Sequence, residues 1–402
     1  MSAVLSTAET ARRLGVKPQT VYAYVSRGLL SARRDGRRSC FDPTEVERLA
    51  QRARHGGRAG ALEVVVDTEL TLLDPDGRLY FRGRDATELA RFRSFEQVAA
   101  LLWDAGDAQA PWEAPAEPLR VCRAAQDGLP ANARPVERLR VVAAAAAALD
   151  PLSDDRRPAA VRAVGRTLIA TLVDALTELC GPRDGSIAAR LWSRLCDAPP
   201  SPAQLQAMNA ALVLLADHEL AASTLAARVA ASAWADPYLV VLCGLGALGG
   251  ALHGASAGAA EALLAAIRSP DHAPAVLGER LRSDARLPGF GAGVYRDRDP
   301  RADALLALLR RAADRERMAV ADAVVAIAGR QEGPAPTVDF ALGALSDGCG
   351  LRTGAAEAIF SVARVAGLVA HAIEEYPHRL RFRPRAAYTG PVPTTPSTPR
   401  RP

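Results

Sequence analysis

A chain of 402 residues is long enough for two or three domains and a sizeable core. Apolar residues make up 49% of it, yet aromatics only 5% while alanine is abundant, which favours close-packed helices and predicts an all-α body. The net charge of +5 is unevenly spread: residues 1–60 hold 12 Lys+Arg against 5 Asp+Glu, a surplus of +7 that leaves the remainder at −2 and points to an anionic partner for the head.

Within the head, "STAETARRLGVKPQTVYAYVSRGLL" sets Ser6 and Glu9 at capping-box spacing and predicts a short helix that Gly15 ends. Pro18 then opens a second helix with an apolar stripe at Val21, Tyr24 and Val25. Two short extended runs around Asp35-Gly36 predict a hairpin wing flanked by Arg33, Arg34, Arg37 and Arg38, and Asp42-Pro43 caps a third helix. The order of parts resembles the winged helix-turn-helix DNA-binding domains of the MerR type over residues 1–55. That resemblance implies that Gln19, Thr20 and Tyr22 face bases or phosphates, while the wing arginines contact the phosphate backbone.

Residues 56–61 read as a Gly/Ala linker. A second Asp-Gly turn, Asp76-Gly77, predicts a small hairpin at the start of the body, and from there the pattern is helical with Pro-rich interruptions. Apolar runs are broken by Arg, Asp or Glu before about 18 residues, and "MSAVLSTAETARRLG" has no apolar signal core, so a cytoplasmic protein without a membrane partner is expected. The cysteines at 40, 122, 180, 196, 243 and 349 form no Cys-x-x-Cys pair, so neither a disulfide framework nor a metal site is expected.

Three stretches put polar residues where a scaffold has no need of them. "LLADHELAASTLAARVAAS" carries Asp217, His218, Glu219, Ser223, Thr224 and Arg228 in what reads as one helix. "LGALGGALHGASAGAAEALL" holds His253 between glycines at a helix start, and "TVDFALGAL" sets Asp339 after a break. Each alone has a plain structural reading, as a satisfied core histidine, a tight turn or an N-cap.

Taken together and in order, these stretches resemble the citrate synthase family. "LYFRGRDATELA" is similar to its Tyr-Arg-Gly-Tyr-Asp stretch, "ALHGASAGA" to its Pro-Leu-His-Gly-Gly-Ala segment, and "TVDFALGAL" to its Asn-Val-Asp-Phe segment. "IFSVARVAGLVAHAIEE" and "RFRPRAAYTGP" are similar to the end of the fold, so the likeness covers roughly residues 62–390.

The resemblance implies a homodimer of two-domain helical subunits: a large domain over 62–254, a small domain over 255–370, and a return to the large domain with a tail over 371–402. Hinges are expected near Gly254 and His371. It further implies condensation of acetyl-CoA or propionyl-CoA with oxaloacetate, giving citrate or methylcitrate as in the tricarboxylic acid cycle. The coenzyme A thioester is then a substrate, and no cofactor is needed. Asp339 would be the base at the acyl α-carbon and His253 the donor to the enol oxygen. His218, Arg301 and Arg383 would hold the oxo-acid, completed by Arg400 or Arg401 of a partner subunit's tail.

"LPGFGAGVYRDRDPRADA" departs from the pattern. Pro288, Gly289, Phe290 and Gly291 match the family's acyl-CoA loop, but Ala292 stands at the family's ketone-polarising histidine. Arg296 or Arg298 could substitute for it. Two readings follow: a condensing enzyme weakened at Ala292 with a DNA-binding head, or an inactive sensor body that shifts the head's affinity for DNA.

Overall fold

The structure, a computed structural model, describes residues 5–26, 29–35, 38–43, 45–46, 49, 65–74, 77–105, 112–182, 185–282, 286–291, 294–295, 297–330 and 333–382. The chain divides into two compact units, Met1–Thr68 and Glu69–Pro402. The expected linker, residues 56–61, lies outside the described residues.

In the first unit, β1 (Leu5–Ser6) leads directly into α1 (Thr7–Leu14). Ser6 and Glu9 close the capping box reciprocally, and Gly15 ends the helix in the left-handed region at φ 65°. α2 (Pro18–Ser26) buries Val21, and β2 (Ala32–Asp35) pairs antiparallel with β3 (Arg38–Phe41) as the wing. One pairing is absent from the sequence reading. β1 adds to β3 through Leu5–Phe41 and Ser6–Cys40, so the wing is a three-stranded sheet. Ala11, Leu14, Val21, Leu30, Phe41, Val46 and Leu49 form this unit's own core.

The second unit opens with the expected hairpin, β4 (Thr71–Leu73) on β5 (Leu79–Phe81), to which β6 (Arg84–Asp85) adds. Helices follow: α3 (Ala86–Phe92), α4 (Phe95–Leu102), α5 (Ala116–Ala124), α6 (Pro135–Ala147), α7 (Pro158–Asp174), α8 (Ile187–Leu195) and α9 (Pro202–Leu215). Then come α10 (Ala222–Ser232), α11 (Pro237–Leu248), α12 (Ala255–Ala265), α13 (Ala273–Arg282), α14 (Pro300–Ala312), α15 (Arg315–Ala328), α16 (Val338–Gly348) and α17 (Ala355–Glu375). Proline in the first turn of α6, α7, α9, α11 and α14 costs no hydrogen bond there and fixes where each helix begins.

α17 is the axis of this unit, packed against α4, α6, α7, α9, α10, α11, α12 and α16. The stretch Ala355–His378 is long and apolar enough to cross a membrane by length and composition, but 94% of its most apolar 18-residue window is buried inside the unit, as befits a core helix. It runs unbroken through residue 371. The segment expected as one helix over Asp217–Arg228 is interrupted. α9 ends at Leu215, α10 starts at Ala222, and Glu219 between them takes φ 53°.

Candidate active site

α17 grips the break between α9 and α10 at three consecutive residues. Arg364 Nε donates to the Leu215 carbonyl at 3.0 Å, the Gly367 N–H to the Ala216 carbonyl at 2.9 Å, and His371 Nε2 lies 3.3 Å from Asp217 Oδ2. Asp217 is fully buried and also accepts from the Thr71 hydroxyl at 2.5 Å. Arg228 stands 2.8 Å from His371 Nδ1 and bonds Glu375 at 2.8 Å. A guanidinium can only donate, so Nδ1 accepts and Nε2 carries the proton shared with Asp217. This buried network explains the break: it needs Asp217 turned toward α17 and β4, which an unbroken helix does not allow.

His218 follows immediately. Its Nε2 is 2.9 Å from the Tyr295 hydroxyl, and the Arg301 guanidinium stands 5.5 Å from the Tyr295 ring centre. Arg301 sits in the first turn of α14 and is held by Asp299, whose carboxylate accepts from Arg301 Nε at 2.9 Å and Nη2 at 2.7 Å. The same carboxylate accepts the backbone N–H of Val338 at 3.0 Å. One side chain thus joins the start of α14 to the start of α16, where Asp339 lies. The N-cap of α16 is Thr337, so Asp339 is not spent on capping.

The glycine-rich loop lies along the segment before α16. Phe290 bridges Pro336, the Gly289 carbonyl accepts from Thr337 N–H at 2.8 Å, and Gly291 N–H donates to Ala335 at 3.3 Å. Those groups are committed to the protein, which argues against a phosphate cradle. His253, in the turn before α12, has Nε2 2.8 Å from Ser223 Oγ, and its ring meets Phe360 edge-on.

Burial pushes the Asp339 carboxyl up to about 6; Asp299 adds to this, while Arg301, Arg364 and a hydrogen bond with Ser256 oppose it. Burial and the charge of Arg364 push His253 down to about 4. Burial, Arg301 and Arg364 hold His218 well below the usual histidine range. Both imidazoles are neutral at pH 7. Burial and Arg301 lower Arg364 to about 10, with Asp217 and Asp339 opposing. Among the described residues neither Nη of Arg364 has a hydrogen-bond partner, nor does Asp339 Oδ1, and all three atoms are buried. A carboxylate poised near neutrality, neutral imidazoles and two buried guanidiniums suit proton abstraction next to a bound carboxylate anion.

The structure therefore brings together four expected residues, His218, His253, Arg301 and Asp339, around Arg364, which the sequence reading did not single out. The signal was present as an arginine inside the apolar run "IFSVARVAGLVAHAIEE". Tyr295, Ser256 and Asp299 were also missed as site residues, and Ser223 was singled out only as a polar residue within an apolar stretch. Ala292, Arg296, Arg383, Arg400 and Arg401 lie outside the described residues. Arg298 does not reach the site. It is exposed and paired with Asp303 through two bonds at 2.9 and 2.6 Å, which corrects its expected role as a carbonyl activator.

On the head, Gln19 and Tyr22 are exposed on α2, Thr20 is half-buried beside the core residue Val21, and Arg33 is exposed on β2. Arg34 and Arg38 lie on the wing strands, and Arg37 falls outside the described residues.

This helical unit, with a half-buried carboxylate and imidazoles gathered beside two buried guanidiniums, is an acyltransferase-type scaffold. Residues 61–385 match the citrate synthase C-terminal domain family, and residues 4–54 match a helix-turn-helix domain. The chain belongs to the citrate synthase family. It is 29% identical to citrate synthase 2 of Bacillus subtilis over 79% of this chain and 91% of that protein. It is 31% identical to 2-methylcitrate synthase of Mycobacterium tuberculosis over 83% and 90%. The citrate synthase of Thermoplasma acidophilum, solved as a ternary complex with carboxymethyl coenzyme A and oxaloacetate, superposes with a TM-score of 0.70 at 26% identity, covering 83% of this chain and 95% of that one.

Proposed function

We propose that the chain condenses an acyl-CoA, acetyl-CoA or propionyl-CoA, with oxaloacetate or a similar oxo-acid, and that its head binds DNA. Asp339 takes the proton from the acyl α-carbon, and neutral His253 donates to the enol oxygen. In the tautomer in which Ser223 donates to Nε2, Nδ1 is that donor. Arg301 and Arg364 hold the oxo-acid carboxylates, a task suited to planar two-toothed guanidiniums. The pair His218–Tyr295 offers its hydroxyl or ring N–H to the ketone, where the family uses the histidine replaced by Ala292.

One observation carries this reading: Asp339, held up to about 6, shares its site with a buried arginine whose two Nη atoms have no hydrogen-bond partner among the described residues. Anion binding alone accounts for the arginines but not for a half-buried carboxylate of raised pKa, which costs stability and is the kind of perturbed group that active sites concentrate.

The experiment is a thiol-release assay on the full chain with acetyl-CoA or propionyl-CoA and oxaloacetate, wild type beside Asp339→Ala. Release in wild type and its loss in the variant are expected. Ala292→His should then raise turnover by about 10²–10³-fold, the usual worth of one such donor. Wild-type release no higher than that of Asp339→Ala would move the assignment to the second reading, a sensor body, which the alanine at position 292 favours. A homodimer is supported by the exposed apolar residues Val229, Trp234 and Leu239 around the α10–α11 turn, and sedimentation of Leu239→Arg tests it.

A further inference from the structure

A cavity of about 270 Å³ opens between the first turn of α6, the turn after α7, the end of α8 and the turn before α17. It shares no lining residue with the site described above. Its charged lining residues are all arginines, Arg138, Arg194 and Arg352, with Thr177 beside them and Leu176 and Leu179 as apolar wall. Each arginine comes from a different element. Arg194 is 5% exposed, pairs with Glu178 at 2.8 Å and, more distantly, with Asp174 at 3.9 Å, and its buried Nε has no hydrogen-bond partner among the described residues. Arg138 gives one Nη to the Pro130 carbonyl at 3.1 Å, and Arg352 is fixed through its backbone N–H to the Leu195 carbonyl at 2.8 Å. Neither Arg138 nor Arg352 has an ion-pair partner among the described residues.

Arginine is common in this chain, so a patch of it means little by itself. What singles this place out is that three guanidiniums converge on one concavity, while the carboxylates that pair with one of them, Glu178 at 2.8 Å and Asp174 at 3.9 Å from Arg194, are not among the residues lining the cavity. The neighbouring furrow is lined by Arg123 and Arg138 but also by Asp127 and Glu178, and has no such bias. A concave wall of one sign concentrates the opposite charge, and guanidinium forks match phosphate and carboxylate oxygens. The volume sits at the small end of ligand pockets, which suits a compact molecule.

We infer that this cavity is a second anion site, for a compact polyanion such as a diphosphate or a tricarboxylate. An anion there joins α6 and α8 to the turn at Arg352, which leads into the helix carrying Arg364 and His371.

The test is titration calorimetry on the full chain at fixed ionic strength, with inorganic pyrophosphate in one arm and tricarballylate in the other. Arg138→Gln and Arg352→Gln, neither at a buried side chain, should each weaken the preferred anion about tenfold or more, the worth of a charged hydrogen bond. The arm that binds more tightly identifies the ligand chemistry. An anion held only at Arg301 and Arg364 is indifferent to both variants. Affinities within twofold of wild type in both, or no binding of either anion at millimolar concentration, would overturn the inference.

Discussion

Gly367 gives its backbone N–H to the Ala216 carbonyl at 2.9 Å, and a β-carbon on Gly367 would stand 2.5 Å from that same oxygen and closer still to Asp217 Oδ1. Only hydrogen fits between α17 and the turn that presents His218. Gly367→Ala is therefore expected to destabilise the protein by about 1–3 kcal/mol, as overpacking does, and to raise the KM for the oxo-acid. Gly246→Ala, on the open side of α11, is the control: its β-carbon meets nothing within 4 Å, and a gain of about 0.5–1 kcal/mol is expected. Urea unfolding of the two variants checks the contrast.

Asp339 makes a second prediction through pH. Its folded pKa of about 6 lies above the ordinary 3.8, so the folded state holds its proton more tightly than the unfolded chain does. Its contribution to stability is then lost as pH rises from about 4 to about 6, with the full cost present above that. Asp339→Asn should stabilise the fold at pH 7.5 by on the order of 2–3 kcal/mol, and by much less at pH 4. In the enzyme, the rate should fall as pH drops through about 6, with no further limb from His253, which is already neutral there. A stability difference between variant and wild type that is flat from pH 4 to 7.5 would refute the assignment.

Tyr295→Phe removes the one hydroxyl bonded to His218 Nε2. The half-buried imidazole then loses that partner, at a stability cost of about 1 kcal/mol. Steady-state kinetics should show kcat/KM for the oxo-acid down by about tenfold, with the KM for acyl-CoA unchanged. Equal losses for both substrates would place Tyr295 in the packing and not at the ketone.

The head can be tested by salt. Replacing exposed Arg33 by Gln should weaken binding to all duplexes alike and reduce the slope of log affinity against log salt by about 1. Replacing Tyr22 or Gln19 by Ala should change affinity for one sequence more than another. Fluorescence anisotropy at several salt concentrations separates the two.

What could be read from residues alone was local. Ser6 with Glu9, Gly15 and the two hairpins around the Asp-Gly pairs are encoded within a few positions, and the capping box, the helix end and the paired strands are found as expected. The break at Asp217 has a local partner, the Glu219 N–H at 3.2 Å, but also partners 146 and 154 residues away, Thr71 and His371, and no window along the chain contains the latter two. β1 was missed for a similar reason: two residues have no periodicity, and only β3 makes them a strand. Arg364 was overlooked because its neighbours are apolar. A cation within a core helix is itself the signal, since burying one without use is costly.

The three residues by which α17 holds the turn before His218, 364, 367 and 371, are spaced as a helix spaces one face. Adding or deleting a single residue between them turns everything beyond it by about 100°. The two outer grips could then no longer face the turn together. Drift in length is thus open to the loops of this protein but closed to the eight consecutive positions 364–371 of its most deeply buried helix, where substitution is the only change the site can survive.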